Sequence, residues 1–147
     1  MKIILMGQQA FGKSTLEKFH KETDHEIVAV YCAPDKEGKP LDPVKEYAVS
    51  ENLPVFQPSN FKDKEVLEQI KSHNADLCVM AYVIIFVPEE ARNIPKHGSI
   101  CFHPSLLPLH RGPSSINWPI IMGSKKTGLT IFYPNAVSYT HLRAHET

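Results

Sequence analysis

The residues best suited to chemistry lie in one stretch, His103-Pro104-Ser105-Leu106-Leu107-Pro108, with His110-Arg111-Gly112 directly behind it. Histidine titrates at about 6.5 in free form, so at neutral pH it can take up or give a proton. The apolar run Ile100-Cys101-Phe102 delivers His103 to the end of a strand. Pro104 stops that strand, having no N–H and a fixed φ. Ser105 to Pro108 is too short and too Pro-bounded for a helix and reads as an ordered loop. A histidine at the carboxyl end of a strand, followed by a stiff apolar loop, is where an open α/β sheet places its chemistry. Two readings of Leu106-Leu107 stand side by side: a groove for a flat apolar ligand, or packing onto the core. Cys101 and His103 share one strand face. They form either a Cys–His nucleophilic pair or a histidine beside a small buried thiol.

A second stretch competes. Gly7-Gln8-Gln9-Ala10-Phe11-Gly12-Lys13-Ser14 matches G-x-x-x-x-G-K-S, the loop that cradles phosphate between a strand and a helix. Backbone N–H groups, the Lys13 charge and Ser14 on magnesium would make a nucleotide binder. Against this, no later apolar strand ends in an aspartate to hold the magnesium, since Asp76 precedes its strand. The alternative is a turn whose glycines let the first strand pack on the first helix. No G-x-S-x-G elbow and no H-E-x-x-H pair is present.

The elements that must position these residues alternate. Lys2–Met6, His25–Cys32, Pro54–Gln57, Leu77–Tyr82, the run ending at His103, and Gly128–Tyr133 read as strands. Ser14–Phe19, the segment from Asp42 or Pro43 to Ser50, Asp63–His73 and Pro88–Arg92 read as helices, and Pro113–Trp118 leads into a further short helix through Met122. Val66, Leu67 and Ile70 give the apolar face of the third helix, and Pro43 opens the second. The loop Ala33–Pro43, rich in charge, Gly and Pro, is expected to be mobile and solvent-facing. Strand and helix in near-strict alternation predict an α/β fold with a mostly parallel sheet.

With 147 residues there is room for one domain and one core. Lys+Arg and Asp+Glu are equal at 16 each, so no global basic field argues for nucleic acid. No apolar run approaches the roughly 20 residues of a membrane span, and Met1–Met6 is too short for a signal peptide. Cys32, Cys78 and Cys101 are scattered and odd in number, which points to free buried thiols in a reducing, cytoplasmic setting.

These residues resemble the formyltransferases that use 10-formyltetrahydrofolate, in their amino-terminal catalytic domain. The resemblance covers residues 1–135. It is most specific in His103–Pro108, in His110-Arg111-Gly112, and in Pro34-Asp35-Lys36 with Val55-Phe56 after it. Lys96–Ile100, Ser115–Trp118 and the Gly7–Gly12 turn are most similar to the hydrolase domain of formyltetrahydrofolate dehydrogenase. The family opens with a glycine-containing turn at this place, which removes most of the case for a phosphate loop. The resemblance implies a Rossmann-like, doubly wound domain with a mostly parallel sheet. It implies 10-formyltetrahydrofolate as co-substrate, with no metal and no membrane. The formyl acceptor would be initiator methionyl-tRNA, as in methionyl-tRNA formyltransferase, or water, as in the hydrolase. A tRNA-formylating enzyme would need a further RNA-binding domain. By the same resemblance His103 is the catalytic residue. Ser105, Leu106, Leu107 and Pro108 form the loop that holds the folate, and Ile85, Phe86 and Val87 line the pteridine pocket through backbone groups.

The sequence departs from the family twice. Most members carry an asparagine two residues before the histidine. Here that position is Cys101, as in the dehydrogenase-type members, which also lack the asparagine. After the last strand the family carries an aspartate that completes the active site, and alignment by spacing puts Tyr139 there. Residues 136–147 resemble a translated sequencing adapter or a frameshift, so the expectation is a partial family domain over 1–135 and a non-native or disordered tail over 136–147. On that expectation the chain as written is an inactive fragment or a folate-binding module with little turnover.

Overall fold

The structure is a computed structural model, and it describes residues 1–112 and 114–135. Pro113, expected to lead into the last helix, and residues 136–147, with Tyr139, lie outside the described residues. The element order is β1 (Lys2–Gly7), α1 (Gln9–Lys21), β2 (Glu26–Tyr31), α2 (Pro43–Ser50), β3 (Val55–Phe56), α3 (Lys64–Ser72), β4 (Leu77–Ala81), α4 (Glu89–Arg92), β5 (Ser99–His103), α5 (Asn117–Ile121) and β6 (Thr130–Phe132). This is the alternation the sequence dictates. The chain forms two compact units that divide between Ser99 and Ile100.

In the first unit the strand order is β3-β2-β1-β4, all parallel. Right-handed crossovers put α1 and α2 on one face. α3 returns across the sheet from β3 to β4 and so covers the other, which is the doubly wound arrangement. β1 is central, and Ile3, Ile4 and Leu5 are wholly buried. Each such side chain contributes about 1.5–3 kcal/mol of burial. On one face Leu16 of α1 and Val44 and Ala48 of α2 close the core. On the other, Leu67 and Ile70 of α3 lie buried at the spacing expected.

The start of α1 differs from expectation. The helix begins at Gln9 rather than at Ser14, and Gly12 is inside it, donating its N–H to the Gln8 carbonyl at 3.1 Å. The glycines serve close approach. A Cβ on Gly7 would sit 2.2 Å from the Ala81 carbonyl oxygen, and one on Gly12 would sit 2.8 Å from Val44 Cγ2. The loop after β2 also departs from a freely solvated one. Lys45 and Gln57 both bond the Asp35 carboxylate, and these hydrogen bonds, Lys45 first, hold it below the usual carboxylate range.

Tyr31 anchors α3 to the sheet. Its ring stacks on Phe56 at 5.2 Å between centroids, and its hydroxyl lies 2.9 Å from His73 Nε2 and 3.2 Å from Gln69 Oε1. Burial pushes the His73 pKa below its ordinary value of 6.5. The folded protein therefore binds this proton less readily than the unfolded chain does. The associated stability is complete above about pH 6.5 and is lost as pH falls through the window below it. Thermal melting between about pH 7.5 and about pH 5 should show a falling midpoint, and His73→Gln should flatten that slope. A slope unchanged in the variant would assign the acid sensitivity elsewhere.

The second unit holds β5 from Ile100, α5 and β6. β5 and β6 pair antiparallel, with Cys101 opposite Phe132, Phe102 opposite Ile131 and His103 opposite Thr130. α5 is the short helix expected to run through Met122, its C-cap, and Ser114 in the stretch leading into it sits at φ 59°, outside the helical range. No helix among the described residues is long and apolar enough to cross a membrane.

Candidate functional site

His103 ends β5 and is 7% exposed. Its Nε2 lies 2.9 Å from the His110 carbonyl oxygen. A carbonyl can only accept, so Nε2 carries the hydrogen and donates. In the neutral ring Nδ1 is then the unprotonated nitrogen, the one able to take or return a proton. His110 holds its carbonyl in place from a left-handed backbone at φ 52°. The second His-Arg-Gly cluster thus enters the site through a backbone oxygen, a role its side chains did not signal.

The loop after His103 is internally tied. Ser105 N–H donates to the His103 carbonyl at 2.9 Å, and the Ser105 hydroxyl donates to the Leu109 carbonyl at 2.6 Å. Ser105 is wholly buried, so its side chain shapes the loop rather than facing outward. Leu106, by contrast, is 48% exposed, and Pro108 is also exposed. Leu107 is half-buried. Of the two readings of Leu106-Leu107, this exposure fits an apolar ligand surface better than core packing.

In the first unit an open groove of about 710 Å³ lies beyond the carboxyl ends of β1, β2 and β4. Gln8, Ala33, Asp35, Asp42, Ile84 and Ile85 are among its lining residues. This is the crevice where parallel strands reverse their order of connection, the usual binding place in open α/β sheets. Gln9, which lines it, adopts a left-handed backbone at φ 58°. Such conformations cost about 1–3 kcal/mol and concentrate at binding sites.

Of the three residues expected to line a pteridine pocket, Ile85 is half-buried on the groove and Phe86 is exposed under the Lys62 ammonium, 5.5 Å from the ring centroid. Val87 is wholly buried, and its carbonyl accepts from Arg92 Nε at 3.1 Å. Arg92 is itself buried, and its own carbonyl accepts from the Ser99 hydroxyl at 2.7 Å. Arg92 therefore ties down the end of the 85–87 segment at Val87, a role that sequence reasoning missed. An arginine in a short helix after Pro-Glu-Glu gives no signal of it.

The groove does not provide a phosphate cradle. α1 starts at Gln9, two residues after β1 ends, which leaves no loop to wrap a phosphate. The Gln9 N–H is occupied by both oxygens of Asp42, at 2.9 and 3.0 Å. The same carboxylate caps α2 through Val44 N–H at 2.9 Å. A fixed negative charge at that helix start opposes an anion there. Titration with magnesium and ATP should give no saturable signal, and Lys13→Ala should change nothing. Magnesium-dependent binding lost in that variant would restore the nucleotide reading.

Cys32, Cys78 and Cys101 form no disulfide among the described residues; burial pushes the Cys32 thiol up to about 11. Cys101 Sγ donates to the Phe102 carbonyl at 3.6 Å. Among the described residues, no three His, Cys, Asp or Glu side chains gather as a metal-binding group.

Comparison with known proteins bears on these residues together. Methionyl-tRNA formyltransferase of Fusobacterium nucleatum is 44% identical over 138 residues, covering 90% of this chain and 44% of that protein. Mouse cytosolic 10-formyltetrahydrofolate dehydrogenase is 43% identical over 138 residues, covering 90% of this chain and 15% of that protein. The chain therefore spans less than half the length of these curated relatives. Among solved structures, the phosphoribosylglycinamide formyltransferase of Bacillus halodurans matches with a TM-score of 0.73 at 21% identity, covering 92% of this chain and 72% of that one. A formyltetrahydrofolate deformylase of Pseudomonas syringae matches with a TM-score of 0.72 at 22% identity, covering 91% and 46%. At those identities the structures show a shared fold. The formyl transferase family model matches residues 1–137, which takes in the groove, His103 and the loop behind it. By that match and by relatives above 40% identity, the chain belongs to the formyl transferase family.

Proposed function

We propose that this chain is the folate-binding, formyl-handling part of an enzyme that transfers the formyl group of 10-formyltetrahydrofolate, in the manner of methionyl-tRNA formyltransferase. One observation carries the reading: the 44% identity to that relative runs through a stretch where the structure buries His103 and fixes its tautomer. In this proposal the exposed Leu106, with Leu107 and Pro108, supplies apolar surface for the folate, and Ser105 sets the loop from within. Ile85 and Phe86 line the pteridine side, with Val87 buried behind them and tied to Arg92.

In the reaction, an acceptor amine attacks the formyl carbon on N10 and a tetrahedral oxyanion forms. The carbon–N10 bond then breaks, N10 receives a proton and the acceptor loses one. His103 Nδ1 is the group proposed to carry that proton, and its charged form would also stabilise the oxyanion. The proposed acceptor is initiator methionyl-tRNA, and the proposed location is the cytoplasm.

A second reading has its own observation. Cys101 replaces the asparagine of most members, as in the dehydrogenase type, where water is the acceptor. Product analysis separates the two. The test protein is the chain with residues 136–147 exchanged for the stretch that follows the matched region in the Fusobacterium nucleatum relative. Offered 10-formyltetrahydrofolate and initiator methionyl-tRNA, it should yield formyl-methionyl-tRNA. Formate alone would favour hydrolysis, and neither product would overturn both.

A further inference from the structure

We propose that Thr130 is a positioning residue, whose single hydroxyl sets the conformation of the Ser105–Leu107 loop for folate. The inference rests on the folate-loop reading above.

Thr130 opens β6 directly opposite His103. Its Oγ1 accepts the Leu107 N–H at 3.1 Å and donates to the Ser105 carbonyl at 2.8 Å. One side chain thus holds the backbone on both sides of Leu106, from 23 and 25 residues away in sequence. The chain just before β6 supplies a second constraint. A Cβ added to Gly128 would lie 2.7 Å from Leu106 Cδ2 and 3.1 Å from its Cγ, so the Leu106 side chain rests against bare backbone. Leu106 is therefore held through its neighbours by Thr130 and from the side by Gly128, while remaining 48% exposed. Ser105 closes the inner side of the loop and cannot replace this clip, because its hydroxyl is committed to Leu109. Valine has threonine's shape without the hydroxyl, so Thr130→Val would leave the Leu107 N–H and the Ser105 carbonyl without this partner. Serine keeps it.

The test uses the 147-residue chain and two readouts. The first is the affinity for a 10-formyl folate analogue that cannot be deformylated. The second is hydrogen exchange of the peptide containing Leu107, which needs no ligand. Thr130→Val should weaken binding about tenfold, and should speed exchange at Leu107 while the melting transition stays cooperative. Thr130→Ser should restore both to within about threefold of the parent. Gly128→Ala keeps both hydrogen bonds but displaces Leu106, so it should weaken binding without speeding exchange at Leu107. Should Thr130→Val not fold, Gly128→Ala and Thr130→Ser still decide. Parent-like affinity in Gly128→Ala, or Thr130→Ser no better than a tenfold loss, would overturn the proposal. Unchanged Leu107 exchange in a folded Thr130→Val would also overturn it. A parent that binds no folate, yet shows Leu107 protection lost in Thr130→Val, would sink the folate reading and leave the clip standing.

Discussion

Deformylation of 10-formyltetrahydrofolate by the 147-residue chain is expected to run at least about a thousandfold slower than by the tail-exchanged chain, in which the family resemblance implies an aspartate in place of Tyr139. The reason lies in what a proton-carrying histidine needs. Among the described residues the His103 ring has one hydrogen-bond partner, the His110 carbonyl, and that contact sets the tautomer. A carbonyl dipole orients the ring but does little to favour its charged form, whereas a neighbouring carboxylate does both. Losing the carboxylate from a comparable triad lowers turnover by about four orders of magnitude. At the position where spacing puts the family's aspartate, this sequence has Tyr139, a phenol in place of a carboxylate. Rates within about tenfold of each other in the two chains would show that no carboxylate is required.

In the tail-exchanged chain, His103→Gln should lower kcat by about 10²–10⁴ while moving the KM for the folate by less than about threefold. Glutamine can still donate an N–H towards the His110 carbonyl, so the loop keeps its inner contact. It cannot take up and return a proton. The expected split, a lost kcat with a kept KM, separates a catalytic role from a structural one. A KM that rises tenfold with kcat intact would make His103 a binding residue instead. His103→Ala should do worse on both counts, because it also leaves the part-buried His110 carbonyl without its donor.

Much of this was readable from the sequence, for physical reasons. The Leu77–Ala81 strand declares itself as an unbroken apolar run buried on both faces. α3 shows its apolar face at Leu67 and Ile70, and α2 carries Pro43 at its first turn. His103 at a strand end followed by Pro104 was equally legible, since proline stops a strand whatever surrounds it. What escaped was set by tertiary contact. Gly12 reads as a turn residue, yet it sits within α1 because β4 and Val44 leave no room for a Cβ. Asp42 looks like an ordinary helix cap, but its other bond runs back 33 residues to Gln9 and closes the phosphate site. Thr130 looks like one more β-branched strand residue, and nothing local shows that its hydroxyl spans the Ser105–Leu107 loop. Arg92 is buried against Val87, whereas its composition suggests a solvated helix end.

The central claim is that this chain holds the formyl folate on the loop behind His103, whatever its turnover. Calorimetric titration of the 147-residue chain with the non-deformylatable 10-formyl folate analogue tests it directly. The account predicts saturable binding at one site per chain, with a Kd of about 1–100 μM, the range of ordinary substrate affinities. It also predicts a loss of about tenfold or more in Leu106→Asp, which puts a charge on the exposed leucine without touching the buried loop contacts. Absence of saturable heat from a chain that melts cooperatively, or full affinity retained in Leu106→Asp, would contradict it.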